Sequence, residues 1–214
     1  MFHDFLDLAA FAFLALFPVL NPPAMAPIFL DMTDSLSDDD RHRLAGLIGK
    51  YTFLLLLGVL VAGGWLLKIF GISVPVIRVA GGLLLFNTAW NMLNSKPKFS
   101  RDEHEELKSR MTDRAFFPMT MPVTAGPGSI AVTLTLVPAG PLLAASTWAS
   151  FAGAAAGVGL AALSVFLFYR YSENLLRRLG HTGAQTISKI SAFILLAIGV
   201  QIVWDGIRGL LKLS

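Results

Sequence analysis

Two short runs combine helix breakers with groups able to hold a small polar ligand. Asn21-Pro22-Pro23-Ala24 lies inside the apolar stretch 5–30, and Thr124-Ala125-Gly126-Pro127-Gly128-Ser129 lies inside the apolar stretch 115–137. Adjacent prolines remove backbone donors and clash with the preceding turn, so a helix reaching Val19 cannot continue unbroken. The same residues suit the start of a new helix: Asn21 is a favoured N-cap, and Pro22 fits the first helical position. In the second run Pro122 interrupts the helix, and Gly126 and Gly128 permit unusual dihedrals around Pro127. Each run therefore predicts a helix that stops and restarts. The start of a helix offers free amide donors and the positive end of a dipole, which favour an anion such as a carboxylate. One proline at such a place merely kinks a packed helix. Two composite breaks argue for a binding site, and the small side chains of Ala24, Ala125, Gly128 and Ser129 suit a small substrate.

A second set of polar residues is spaced for one helical face. Asn87, Asn91 and Asn94 stand at i, i+4 and i+7, and Gln201, Asp205 and Arg208 repeat that spacing. Asp205 is the acid clearly inside an apolar stretch. A buried acid costs about 2.5–3.5 kcal/mol at a span's centre on insertion scales, which makes it a functional candidate by default. With Gln201 one turn deeper, Asp205 is the expected carrier of a coupling proton or sodium ion, or of a contact to a substrate ammonium. Arg208 is its expected ion-pair partner. Asn87 and Asn91 are expected to meet Gln201 and help line the substrate site.

Enzyme chemistry finds no support. Cysteine is absent, and His3, His42, His104 and His181 all fall outside the apolar stretches. Asp38, Asp39 and Asp40 after Ser37 are explained by an N-cap and an acidic first turn, without a metal. No catalytic group, metal or cofactor is expected beyond the coupling ion.

The elements that must carry these residues follow from composition. Of 214 residues, 55% are hydrophobic and 14% charged, and the mean hydropathy is +0.65. These values fit a polytopic membrane protein. Apolar stretches at 5–30, 44–70, 72–93, 115–137, 143–169 and 187–211 each meet the need for roughly 20 residues per span. The fold class is thus all-α with six transmembrane helices, the first and fourth interrupted. The first stretch carries Asp4 and Asp7 and no basic leader, so it is not expected to be a cleaved signal. Gly58, Ala62 and Gly63 in the second stretch, and Ala149, Gly153, Gly157 and Ala161 in the fifth, suit close helix packing.

Basic residues gather on one side. Arg41, Arg43, Lys50, the cluster between Lys96 and Arg114, Arg170, Arg177, Arg178 and Lys189 flank three connections on that side. Lys68, Arg78, Arg208 and Lys212 flank the other. The positive-inside rule makes the first side cytoplasmic and puts both termini outside. Basic residues at membrane flanks argue for a lipid bilayer as partner and give no reason to expect nucleic acid.

The breaks correspond at an offset of 105 (Asn21 to Gly126), and Asn87-x-x-Trp90-Asn91 corresponds to Gln201-x-x-Trp204-Asp205 at an offset of 114. A duplicated three-helix unit explains both. Because three is odd, the copies insert with opposite orientation as an inverted repeat: residues 1–94, a charged cytoplasmic connector 95–114, and residues 115–214.

With these runs quoted, the chain resembles a known family. Asn21-Pro22-Pro23 leading into Pro27-Ile28-Phe29-Leu30, Ala125-Gly126-Pro127-Gly128-Ser129-Ile130, and Gly199 through Ile207 are similar to the signatures of the MarC family of six-span inner-membrane proteins. The resemblance implies a bacterial or archaeal inner-membrane protein of the small neutral amino acid transporter group, with glycine and alanine among its substrates. The family's name derives from an antibiotic-resistance locus rather than an established drug-efflux role. Members often carry an acid at the position of Asn91, which leaves Asp205 as the coupling candidate. The expected function is secondary transport of a small neutral amino acid by alternating access. An aquaporin-like channel for small neutral solutes and an exporter of other small metabolites are the alternatives, and a homo-oligomer is left open.

Overall fold

The computed structural model describes residues 2–34, 36–94, 115–137 and 145–213, all of the regular structure being helical. The charged connector 95–114 lies outside the described residues. In chain order the helices are α1 (Phe2–Leu20), α2 (Pro22–Met32), α3 (Asp38–Ile69) and α4 (Val74–Asn94). A π-helical segment (Ala115–Thr124) follows, then α5 (Pro127–Thr135), α6 (Ala145–Arg170) and α7 (Ser172–Leu213). Four of these are long and apolar enough to cross a membrane. The pair α1 and α2, bent by 43° at Asn21, makes a fifth. The expected fourth span is divided between the π-helical segment of 10 residues and α5 of 9. The protein is an all-α polytopic membrane protein.

Local chemistry sets several of these boundaries. Ser37 caps α3, its hydroxyl accepting from the Asp40 amide, and Asp38, Asp39 and Asp40 fill the first turn. This is the arrangement expected from the dipole and the cap. Gly180 adopts a φ of 65° and breaks α7 near its start, ahead of the apolar part Lys189–Leu211.

Without a hydrophobic driving force in lipid, spans associate through close van der Waals packing, and small residues set where backbones meet. α4 and α7 run antiparallel. A Cβ built on Gly82 would lie 2.7 Å from the Gly199 carbonyl oxygen and 2.8 Å from the Val203 nitrogen. One on Gly206 would lie 2.8 Å from the carbonyl oxygen of Pro75. At the other end of the pair the Lys189 ammonium donates to the carbonyls of Met92 and Leu93.

α1 and α6 run parallel. Gly153 meets the backbone of Phe5, Gly157 meets Ala9 and Ala12, and the Phe17 and Phe168 rings meet edge-on at 6.2 Å. α3 runs parallel to the π-helical segment and α5, with Tyr51 against Phe116 and Gly63 against Leu134. Of the small residues expected to face a neighbour in α3, only Gly63 does so. Ala62 is exposed, and nothing lies within 4 Å of a Cβ on Gly58.

The two kinds of glycine give a direct comparison. In Gly82→Ala the new methyl meets backbone atoms that cannot swing away, an overpacking cost of about 1–3 kcal/mol. Gly58→Ala adds a methyl to open space and gains up to about 1 kcal/mol of helix propensity. Thermal unfolding in detergent should show a lowered midpoint for the first and an equal or raised midpoint for the second.

Candidate functional site

The first break is one residue wide. Asn21 is left-handed, with φ 45° and ψ 53°, a conformation that asparagine tolerates better than most residues. Its amide still donates to the Phe17 carbonyl at 2.9 Å, and its own carbonyl accepts from the amides of Ala24 and Met25. The expected side-chain cap is not made. The break therefore differs from the expected helix start in a physical way. Pro22 and Pro23 have no N–H, and the next two amides are taken, so α2 begins with no free amide donor.

The unpaired groups lie on the other side of the kink. In a continuous helix the carbonyls of Pro18, Val19 and Leu20 would accept from residues 22, 23 and 24. The first two of these are prolines, and Ala24 donates to Asn21 instead. Three successive carbonyls are thus left without backbone donors among the described residues, at the negative end of the α1 dipole. Beside them the Asn21 side chain is only 2% exposed, and neither its oxygen nor its nitrogen has a hydrogen-bond partner among the described residues. A buried, unsatisfied primary amide costs on the order of 1–3 kcal/mol for each unpaired group.

The second break keeps donors. Gly126 precedes α5 in an extended conformation (φ −79°, ψ 179°) with Pro127 at the first helical position. Ser129 and Ile130 donate their amides to the Gly126 carbonyl, and the Ser129 hydroxyl donates to it at 2.8 Å. The amides of Gly126 and Gly128 have no carbonyl partner among the described residues. Upstream the backbone is π-helical. The Thr120 and Thr124 hydroxyls donate to the carbonyls five residues back, those of Ala115 and Met119. Single π-turns are commonest at functional sites, and a run of this length is unusual.

The breaks are neighbours. A Cβ on Gly128 would lie 3.7 Å from Val19 Cγ1 and 2.8 Å from Leu85 Cδ2. Glycine at this position lets α5 approach α1 and α4 together. At the two breaks Pro22, Ala24, Thr124, Ala125 and Ser129 are buried, whereas Pro23 is half-buried and Pro127 is exposed.

Tyr169 joins the two broken helices and was not singled out by sequence. Its hydroxyl shares a 2.8 Å hydrogen bond with Thr124 Oγ1, and its ring stacks on Phe29 of α2 at 4.5 Å. A tyrosine in the last turn of an apolar stretch is usually an interfacial anchor. That it is buried to 2% exposure depends on packing that sequence does not display.

The amide face does not join this site. On α4 the buried positions are Gly81, Gly82, Leu85 and Ala89, and Asn87 and Asn91 are exposed on the remaining face. Gln201 donates to Asp205 Oδ1 at 3.1 Å, with Asp205 half-buried and Gln201 exposed. Arg208 lies over the Trp204 ring at 5.4 Å rather than pairing with Asp205. With Gly82 opposite Gly199 and Val203, Asn87 falls roughly 7 Å along the axis from the level of Gln201. The expected meeting of these amides does not occur. Among the described residues no group of three His, Asp or Glu is placed to hold a metal.

Comparison with known proteins agrees with this architecture. The profile of MarC family integral membrane proteins matches residues 6–211. The UPF0056 membrane protein YvbG of Bacillus subtilis is 33% identical over 202 residues, covering 92% of this chain and 93% of its own. A UPF0056 membrane protein of Aquifex aeolicus is 34% identical, covering 94% and 92%. The UPF0056 inner membrane protein MarC of Escherichia coli is 31% identical, covering 92% of each. No solved structure matches the chain. By profile and by relatives matched along nearly their whole length, the chain belongs to the MarC family of integral membrane proteins.

Proposed function

We propose that the protein is a secondary transporter of small neutral amino acids, binding the zwitterion where its two broken helices meet. The observation that carries this reading is the difference in polarity between adjacent breaks. Carbonyls of Pro18, Val19 and Leu20 are acceptors suited to an ammonium, whereas the amides of Gly126 and Gly128 are donors suited to a carboxylate. The Asn21 amide at the first break, unpartnered among the described residues, carries an NH2 donor and a carbonyl acceptor and can serve either end. Pro22, Pro23, Ala24, Thr124, Ala125, Pro127 and Ser129 flank the two breaks, and the small side chains among them suit a substrate the size of glycine or alanine.

The six-span inverted repeat belongs to the same proposal. Helix pairings come in matched sets that support it. α1 lies parallel to α6, as the π-helical segment and α5 lie parallel to α3. α4 packs on α5 as α2 packs on α7, and the third helices α4 and α7 pack on one another. Exchange of the halves maps each pairing onto another or onto itself. Alternating access is then a rocking of one half against the other about the fixed breaks. Asp205, held by Gln201, is the coupling residue of this scheme, and it acts from outside the substrate contacts on a proton or sodium ion.

Asn21→Gly separates backbone from side chain. Glycine keeps the left-handed conformation and removes the amide, so the fold should persist. Substrate affinity should fall by about 10- to 100-fold, the loss of hydrogen bonds to a charged group. Gly128→Leu should abolish binding by forcing α5 away from Leu85 and Val19, and so separating the two breaks. Calorimetry with glycine and alanine on purified protein checks both, and unchanged affinity in Asn21→Gly would reduce Asn21 to a conformational role.

Asp205→Asn should retain substrate exchange across proteoliposome membranes and lose gradient-driven accumulation. Accumulation equal to wild type, with the same pH and sodium dependence, would remove Asp205 from the scheme. For orientation, a reporter active only outside the cytoplasm and fused after Ser214 should be active. Cytoplasmic activity would invert the assignment.

A further inference from the structure

The outer surface of the α3–α6 pair carries a feature that the transport site does not use. An open groove of about 400 Å³ runs between the two helices, lined by Gly46, Gly49, Lys50 and Phe53 on α3 and by Gly159, Ala162, Leu163 and Phe166 on α6. Its glycines have separate roles. A Cβ on Gly49 would stand 2.9 Å from Phe166 Cβ, so this glycine lets the helices touch and forms the floor. On Gly46 and Gly159 the nearest atoms would be 3.9 Å and 3.6 Å away, ordinary contact distances that leave the groove unfilled. The walls are hydrocarbon and aromatic. An acyl chain fits such a surface, and a soluble polar ligand does not.

One polar group breaks the lining. Lys50 stands 18 residues before Lys68 in the unbroken helix α3, about 27 Å along the axis. That is close to the hydrocarbon thickness of about 30 Å, so the two lysines mark opposite boundaries of the membrane. Lys50 has no ion-pair partner among the described residues. One turn beyond Phe166, the Arg170 guanidinium packs over that ring at 5.8 Å from its centroid, also without an acidic partner among the described residues. An apolar trough therefore ends at the membrane boundary beside two cations. A zwitterionic headgroup brings its own ammonium and gains little from them. A headgroup with net negative charge neutralises them.

We propose that this groove is a binding site for an anionic phospholipid, with an acyl chain along Phe53, Gly159 and Leu163 and the phosphate at Lys50 and Arg170, beside Gly46. Basic pockets at the cytoplasmic ends of transmembrane helices bind anionic headgroups in this manner. The site is independent of the substrate breaks. It lies where α3 meets α6, so a bound lipid braces a pairing between the two halves of the chain.

Native mass spectrometry of the detergent-purified protein, titrated with phosphatidylglycerol and with phosphatidylcholine of the same acyl chains, tests it. Wild type should retain phosphatidylglycerol at least tenfold better. Lys50→Gln, a surface change that leaves packing intact, should cut that retention by about fivefold, the effect of one cation near anionic lipid, and leave phosphatidylcholine unchanged. Gly159→Leu should displace both lipids, and Leu163→Trp is the second groove-filling variant should the first fail to fold. Equal retention of the two lipids by wild type would overturn the proposal. So would undiminished phosphatidylglycerol binding in a folded groove-filled variant. A wild-type dimer mass that Gly159→Leu converts to monomer would assign the groove to a second copy of the chain and overturn it too.

Discussion

Every backbone carbonyl inside a bilayer needs a donor from the protein, because the hydrocarbon has none to give. Pro22 and Pro23 withhold two such donors in succession, and the left-handed turn at Asn21 diverts a third. The rest of the architecture can be understood as the surroundings this deficit requires. α5 and α4 are brought against the kink by Gly128 and Leu85, α6 reaches both broken helices through Tyr169, and the kinked residues Leu20, Asn21 and Pro22 are buried. Unsatisfied groups are tolerated at this depth only where they are enclosed by protein or line a cavity, and here they are enclosed.

The two breaks solve the same problem differently. At the first, a single residue changes conformation and the hydrogen-bond ladder resumes at once. At the second, the ladder widens before it stops: threonine hydroxyls reach five residues back, and Gly126 is extended. A wide helix followed by a glycine keeps amides free, whereas two prolines eliminate them. For the proposed substrate this asymmetry matters, because a zwitterion has two ends. Two identical helix N-termini would bind two carboxylates and leave an ammonium without acceptors.

Much of this was legible in the sequence. Prolines and glycines announce a broken helix by what they cannot do, and both breaks lie where Asn21 and Gly126 were expected. The Ser37 cap and the Gly153 and Gly157 ridge were likewise local statements, fixed by residue type and spacing. What was not legible is which groups each break leaves unpaired. Asn21 is a good N-cap by preference, yet here it takes the left-handed alternative because its backbone must serve both α1 and α2. Periodicity placed Asn87 and Asn91 on one face, but it could not say which way that face turns. The direction is set by the contact of Gly82 with Gly199, a tertiary fact. Tyr169 was missed for the same reason, since its burial is a property of its neighbours.

The link through Tyr169 gives the two breaks a shared mechanical fate. Its ring rests on Phe29 in α2, while its hydroxyl holds Thr124, the last residue of the π-helical segment. Thr124 in turn donates to Met119, so the hydroxyl of Tyr169 ends a short chain of bonds within the widened turn. A displacement of α2 about Asn21 must either carry Tyr169 with it or slide Phe29 off a stacked ring. If the tyrosine follows, the bond at Thr124 pulls on the turn that keeps the Gly126 and Gly128 amides free. The left-handed residue at one break and the wide helix at the other are thereby coupled by one buried side chain. A movement at one break therefore cannot proceed without straining the other.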